Sequence, residues 1–277
     1  HGVTTGYEGL NERLRGLAKT DMIVLAARPA MGKTSLAMNI AENAALGRLA
    51  REGKGVPVGI FSLEMSREQL VRRMLFSNAR VSAQAVRKNL TTENKMRLQA
   101  AAARLSKAQI YIDDTPGLEA VELRSRARRM KSRFGIELIV IDYLQLMNYS
   151  EYSKDGRQRE TMAISGAIKG MAKELDIPVV VLSQLSRAAE GRGDNIPKLS
   201  DLRDSGAIEQ DADVVLLLYR PSYYKHGDER NTDNLAVVDV AKFRHGETGD
   251  VRMSFIKEYT RFEDRDPRED ESIPSDY

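Results

Sequence analysis

The sequence predicts an α/β fold, with a mostly parallel central sheet flanked by helices and extra strands added at one edge. Three observations carry that reading. Short β-branched runs, apolar throughout, alternate with longer helical patterns, as in a parallel sheet covered on both faces. One strand-to-helix junction near the start carries a glycine–lysine turn. The last third instead holds apolar runs close together, separated by turn-rich segments, which suits antiparallel strands.

Taken in order, MIVLAA (22–27) is the first strand, followed by a helix over 33–46. VPVGIFSL (56–63) leads into a helix through REQLVRRMLF (67–76), and IYI (110–112) into the basic helix ELRSRARRMKSRF (122–134). IELIVID (136–142) precedes a helix through ISGAIKGMAKEL (164–175), and IPVVVLS (177–183) closes the alternating part. DVVLLLYR (213–220), NLAVVDVAKF (234–243) and DVRMSFIKEYTRFED (250–264) supply the edge strands. No internal repeat or composition break divides residues 1–264, so one domain is expected there. Residues 265–277 form an acidic tail of disordered composition.

Composition narrows the function classes. A chain of 277 residues, 42% of them hydrophobic, can bury a large core. The lack of Cys excludes disulfides and cysteine metal sites, and three His leave little for a histidine zinc cluster. No run reaches membrane-span length and no leading segment resembles a signal peptide, so a cytoplasmic protein is expected. Net charge is +3, but residues 263–277 hold seven acids and two arginines, leaving about +8 on the body. That excess suits a nucleic-acid binder without requiring one. The opening His1-Gly2-Val3, with no initiator Met, suggests a piece of something longer.

Residues 27–34 read A-R-P-A-M-G-K-T against the phosphate-loop template G-x-x-x-x-G-K-[ST], missing only its first glycine. An apolar strand runs in and a helix starts at the lysine, as the template requires. Backbone N–H groups from Ala30, Met31, Gly32, Lys33, Thr34 and Ser35 are expected to face the phosphates of a nucleotide. Lys33 would reach the β- and γ-phosphates, and the Thr34 hydroxyl would ligate Mg²⁺. Ala27 closes the strand, where a methyl group is tolerable at negative φ. Such a loop needs carboxylates nearby. Asp142 ends ELIVID and suits the metal, although an Asp there alone is more often a turn or helix cap. Glu64 ends GIFSLE and can polarise a water, or else complement the following helix. Gln184, after VVVLS, can sense the γ-phosphate or be a plain loop amide.

These pieces in this order resemble the motor domain of the DnaB family, hexameric replicative DNA helicases with a RecA-like P-loop ATPase fold. The matching segments include TGYEGLNERLRGL, AARPAMGKTSLAMNIAENA, FSLEMSREQLVRRML, IVIDYLQLM, AKELDIPVVVLSQLSR, LSDLRDSGAIEQDADVV and AKFRHGETG. FSLEMS and LRDSGAIEQDAD are the most specific, and Ala27 is at home in the family. The resemblance implies a catalytic role for Glu64, a metal-linked role for Asp142 and a nucleotide contact for Arg73. It makes Lys242 and Arg244 a basic pair reaching into a neighbouring subunit's ATP site, where read alone they would be a solvated strand edge. Phe243 and His245 depart from the Gln and Asn that many members carry there, which touches fine geometry and not the role.

For DNA, the resemblance assigns Arg203, Asp204 and Gly206 to a loop holding a single-strand backbone; the alternative is a turn capping the GAIEQD helix. The six cations from Arg124 to Arg133 surround their helix without interleaved aromatics and read as a solvated or subunit-facing surface. The implied partners are single-stranded DNA, further copies in a hexameric ring, primase and a helicase loader. A smaller helical domain and linker, normal ahead of GVTTGY in the family, are absent from this chain. A RecA-like recombinase or clamp, hydrolysing ATP on DNA without unwinding it, is the rival reading, as is a bare nucleotide-binding module.

Overall fold

The computed structural model describes residues 2–187, 192, 195–223 and 234–266, with the side chains of residues 203–205 outside the description. The acidic tail therefore lies mostly beyond it. The described elements run α1 (Glu8–Leu14), β1 (Met22–Ala27), α2 (Lys33–Leu46), β2 (Val58–Ser62), α3 (Arg67–Ala79), α4 (Ala83–Lys88), α5 (Thr92–Leu105) and β3 (Ile110–Asp113). Next come α6 (Ala120–Phe134), β4 (Leu138–Asp142), α7 (Ser150–Ser153), α8 (Arg157–Leu175), β5 (Val179–Gln184) and α9 (Gly206–Asp211). The edge is β6 (Val214–Tyr219), β7 (Leu235–Phe243), β8 (Gly249–Ile256) and β9 (Arg261–Asp264).

One nine-stranded sheet has the order β3-β2-β4-β5-β1-β6-β7-β8-β9. The first six positions are parallel, and β6 to β9 pair antiparallel. The expected edge strands are thus present, but residues 250–264 make two of them. A 3-10 turn at Lys257–Tyr259, with Thr260 at φ +50°, reverses the chain between β8 and β9. Strands that are apolar at every position face two cores. Along β1, Ile23, Leu25 and Ala27 join the core beneath α2, while Met22, Val24 and Ala26 join the one beneath α6 and α8.

Helix α3 is the one expected over 67–76, but the α4–α5 part of the α3–α5 excursion has no counterpart in the sequence reading, because α4 buries nothing and α5 only Ala101, so neither presents a broad apolar stripe. The excursion carries its own small cluster of Ala79, Val81 and Ala101. On the other side, β9 is tied down onto α2. Arg261 pairs with Glu42 at 3.2 Å, both almost fully buried, and the Phe262 N–H donates to Asn39 Oδ1 at 2.9 Å. This seats the Phe262 ring against Gly32, which has φ +97°. A Cβ on Gly32 would meet that ring at 2.9 Å, so the turn entering α2 admits glycine on both counts.

Candidate functional site

Because β1, β2, β4 and β5 are parallel, their C-terminal ends share one rim of the sheet. In register, Ala27 lies beside Gln184 and Ser62 beside Asp142. Four sequence-predicted groups, the 27–34 loop, Glu64, Asp142 and Gln184, therefore converge although they are scattered along most of the chain. Loops at strand ends of this kind are where open α/β sheets bind ligands.

The loop itself is built for an anion. Ala30 (φ +66°) and Gly32 are both left-handed, and α2 starts with no side-chain cap and no acidic residue in its first turn. Its orphan N–H groups and positive dipole end are left for a ligand. By contrast, α3 opens with a complete Ser66–Gln69 capping box. Met31 and Ser35 are buried, whereas Ala30 is exposed at the loop crest.

Charge at the rim is only partly compensated. Burial holds the Lys33 ammonium below the usual lysine range, against the pull of Asp142 and Glu64, and its Nζ lies 4.6 Å from the centre of the Tyr143 ring. Asp142 is fully buried. Its Oδ2 accepts from Thr34 Oγ1 at 2.8 Å, while Oδ1 has no hydrogen-bond partner among the described residues. Desolvation raises the Asp142 carboxyl, opposed by the Thr34 bond and Lys33. A buried carboxylate with one orphaned oxygen, touching a hydroxyl, is a donor set that fits a hard divalent cation.

Glu64 is exposed on the turn after β2. Ser62 Oγ donates to the Met65 carbonyl at 2.6 Å and accepts from its N–H at 3.2 Å, closing that turn, and the Leu63 N–H reaches the Asp142 carbonyl at 2.7 Å. Arg73, half-buried on α3, is close enough to favour the Asp142 carboxylate, and makes no hydrogen bond or ion pair among the described residues.

Lys242 and Arg244 sit elsewhere. Strand β7 runs antiparallel to β6, with Phe243 paired to Val214 at the start of β6, so both cations lie on the opposite sheet edge. Roughly 13 Å of strand, the four residue steps from Val214 to Leu218, separates that end from the level of Ala27. Lys242 Nζ donates to the Glu209 carbonyl at 2.5 Å and to that of Gln210 at 3.4 Å. Arg244 donates to the Gln210 carbonyl and lies 3.5 Å from Asp213. They thus cap the C-terminal end of α9. Asp21, Asp213 and His245 cluster there, but Asp213 is already held by Lys169 and by the Met22 N–H.

Of the predicted DNA residues, Gly206 opens α9. Arg203 and Asp204 lie in a 3-10 helix over Leu199–Ser205, and their side chains fall outside the described residues. The Ser186 N–H donates to the Asp201 carbonyl at 3.1 Å, so this segment adjoins the tip of β5. The basic helix α6 spends its cations internally: Arg124 and Arg128 on Glu174, Arg126 on Asp113 and Glu122.

Sequence reasoning missed Arg220. It follows β6 at the loop's own rim, stacks 4.3 Å from the Phe255 centroid and donates to the Ala30 carbonyl at 3.3 Å. Its only sequence signal was a cation just past an apolar strand.

The model of the DnaB-like helicase C terminal domain matches residues 2–264. The chain belongs to that family. Among relatives of this DnaB-like chain, the Replicative DNA helicase DnaB of Geobacillus stearothermophilus is 45% identical over 272 residues, 98% of this chain and 58% of the relative. The Replicative DNA helicase DnaC of Bacillus subtilis (strain 168) is 45% identical over 274 residues, with the same coverage. The chain thus spans less than two thirds of the curated relatives it matches. Among solved structures, one described as an ATPase domain superposes with a TM-score of 0.88 at 36% identity, covering 96% of this chain and 92% of that one. A structure of a DnaB-like replicative helicase and its interactions with primase gives 0.87 at 36% identity, covering 96% and 62%. The DnaB-like fold here is therefore the RecA-like ATPase fold anticipated from the motifs.

Proposed function

We propose that this chain is the motor of a replicative DNA helicase, hydrolysing ATP between subunits to move along single-stranded DNA and separate the duplex. One observation carries the reading: the phosphate loop and the Lys242–Arg244 pair lie on opposite edges of one sheet. No single copy brings them together, whereas head-to-tail copies in a ring can.

In this reading the backbone of Ala30 to Ser35 cradles the phosphates, with Lys33 on the β- and γ-groups and Arg73 as a further nucleotide contact. Arg220, stacked on Phe255, offers a flat cationic face to the base. Thr34 and Asp142 would hold Mg²⁺, which would neutralise phosphate charge when bound. Glu64 takes the proton of a water attacking the γ-phosphorus, ADP departs, and Gln184 senses whether the γ-phosphate is present. Arg244, with Lys242 beside it, is supplied by the neighbouring subunit to the transferring phosphoryl group. Arg203, Asp204 and Gly206 grip a DNA backbone, Asp204 acting by orienting the arginine or through its N–H. Family membership supports a hexameric ring, a helicase loader and a cytoplasmic setting. A primase partner is supported by the similar helicase whose interactions with primase were solved. No helix among the described residues is long and apolar enough to cross a membrane.

The test is ATPase rate against protein concentration, with and without single-stranded DNA, for the chain and for Arg244→Ala. Rate per subunit is expected to rise with both, and Arg244→Ala to lose about 10³-fold while still binding nucleotide. Hydrolysis indifferent to concentration and to Arg244 would mean a site complete within one subunit, and the ring-motor reading would fall.

A further inference from the structure

Beyond the site residues, one amide makes an unusual set of bonds. Gln145 lies in the 3-10 turn Leu144–Leu146, three residues past Asp142. Its Nε2 donates to Ser183 Oγ at 2.9 Å and to the Gln184 carbonyl at 3.2 Å, and its Oε1 accepts from the Gln184 N–H at 3.2 Å. Both backbone groups of Gln184 are therefore held by one side chain, as a paired strand would hold them.

The sheet explains why a substitute is needed. On one side β5 pairs with β1 up to Gln184, but on the other its register with β4 stops at Val181. The last three residues of β5 would present an unpaired edge at the rim, where an unsatisfied backbone group is costly. Gln145 fills that gap. It is itself anchored from behind: Arg157 on α8 donates to the Gln145 carbonyl at 2.6 Å and to that of Met147 at 3.2 Å. Glu160 receives Arg157 at 2.7 Å and the Tyr149 N–H at 2.9 Å, so the turn is clamped by a helix of the core. The side chain of Gln184 is left exposed, with no bond of its own among the described residues.

We propose that Gln145 is the positioning residue of Gln184, setting the strand tip so that the Gln184 amide meets the γ-phosphate. The inference rests on reading Gln184 as the γ-phosphate sensor. A positioning group acts only through its partner, so its loss costs turnover at unchanged nucleotide affinity, and costs nothing once the partner is gone. Misplacement of an aligned group by a fraction of an ångström to 1 Å lowers rate by about 10- to 100-fold.

The experiment measures DNA-stimulated ATPase of the chain, Gln145→Leu, Gln184→Ala and the double variant, with binding of a non-hydrolysable ATP analogue and the unfolding midpoint for each. Gln145→Leu is expected to lower kcat about tenfold with analogue affinity within about twofold, and the double variant to be no slower than Gln184→Ala. Gln145→Glu keeps the acceptor for the Gln184 N–H but loses the donor to its carbonyl, so a smaller loss is expected, again absent without the Gln184 amide. Losses that multiply in the double variant would overturn the proposal, as would a wild-type rate in Gln145→Leu. So would a parallel fall of kcat, affinity and unfolding midpoint in both Gln145 variants, the mark of a structural role. If Gln184→Ala alone keeps its rate, the sensor reading is what fails, and the two failures are told apart.

Discussion

The two ends of the sheet both carry partly buried charges and differ in how far those charges find partners within the chain. At the strand-end rim, Asp142 has a buried oxygen without a hydrogen-bond partner among the described residues, Lys33 is depressed by burial, and the start of α2 is uncapped. At the strand-start edge, Asp213 is held by Lys169 at 2.5 Å and by the Met22 N–H at 2.8 Å, and Lys242 and Arg244 are spent on carbonyls of α9. The first edge stores an electrostatic cost that a ligand can relieve. The second is hydrogen-bonded within the chain, although burial still lowers Lys242 and raises Asp21, and its cations become available only if something outside the chain offers a better partner. A transferring phosphoryl group on a neighbour is such a partner. The contact also has a direction: α9 begins at the segment proposed to hold DNA and ends at the carbonyls that hold the proposed finger.

The sharpest way to break this comparison is to mix two dead subunits. Lys33→Ala removes the loop cation but keeps Arg244, and Arg244→Ala does the reverse. Each alone is expected to lose about 10³-fold in ATPase, while an equimolar mixture regains roughly 10²-fold over either parent, since some interfaces join a good loop to a good finger. No recovery in a mixture that co-assembles would refute a shared site.

A smaller effect sharpens the stored cost. Lys33 titrates below 10.5, the ordinary lysine value, so between its own pKa and 10.5 the unfolded chain binds more protons and stability rises with pH. Lys33→Met is therefore expected to abolish that rise and to stabilise the nucleotide-free chain by about 1 kcal/mol at neutral pH, although it destroys activity. Urea unfolding of both proteins at pH 7 and pH 10 measures it; an unchanged or lower midpoint for the variant would mean the rim stores nothing at Lys33.

The smallest effect tests whether the antiparallel wing is as neutralised as the finger edge. Asp239 on β7 faces Asp250 on β8, and burial first, then Asp250, raises its carboxyl to about 6. A raised carboxyl contributes stability that is full below 3.8 and lost as pH rises through about 6. After allowance for solvent screening, Asp239→Asn should gain about 1 kcal/mol at pH 7 and flatten the stability profile between those values. An unfolding profile of the variant parallel to the parent would remove Asp239 from the account.

The alternation of apolar runs and helices, and the phosphate loop, were readable because both are local. A strand buried on two faces needs apolar residues at every position, as β1 has, and a phosphate loop needs its glycine and lysine within a few residues of each other. Helices α4 and α5 were not readable, because between them they bury only Ala101. Arg220 and Gln145 were also invisible, since a cation after a strand and an amide in a turn acquire meaning only from what lies across the sheet.

By itself the sequence nominated residues for the chemistry: the loop at 27–34, the carboxylates Glu64 and Asp142 and the amide Gln184, with the pair Lys242–Arg244 added only by the family resemblance. Only the tertiary structure decided how they are distributed. Parallel pairing of β1, β2, β4 and β5 collects the first three groups at one rim, because parallel strands share a C-terminal end. A single reversal at β7 sends the basic pair to the other edge, because an antiparallel strand must finish where its neighbour began. The connections between runs hinted at strand direction, but which strand lies beside which, and in what register, is a property of long-range pairing that no local run of residues encodes.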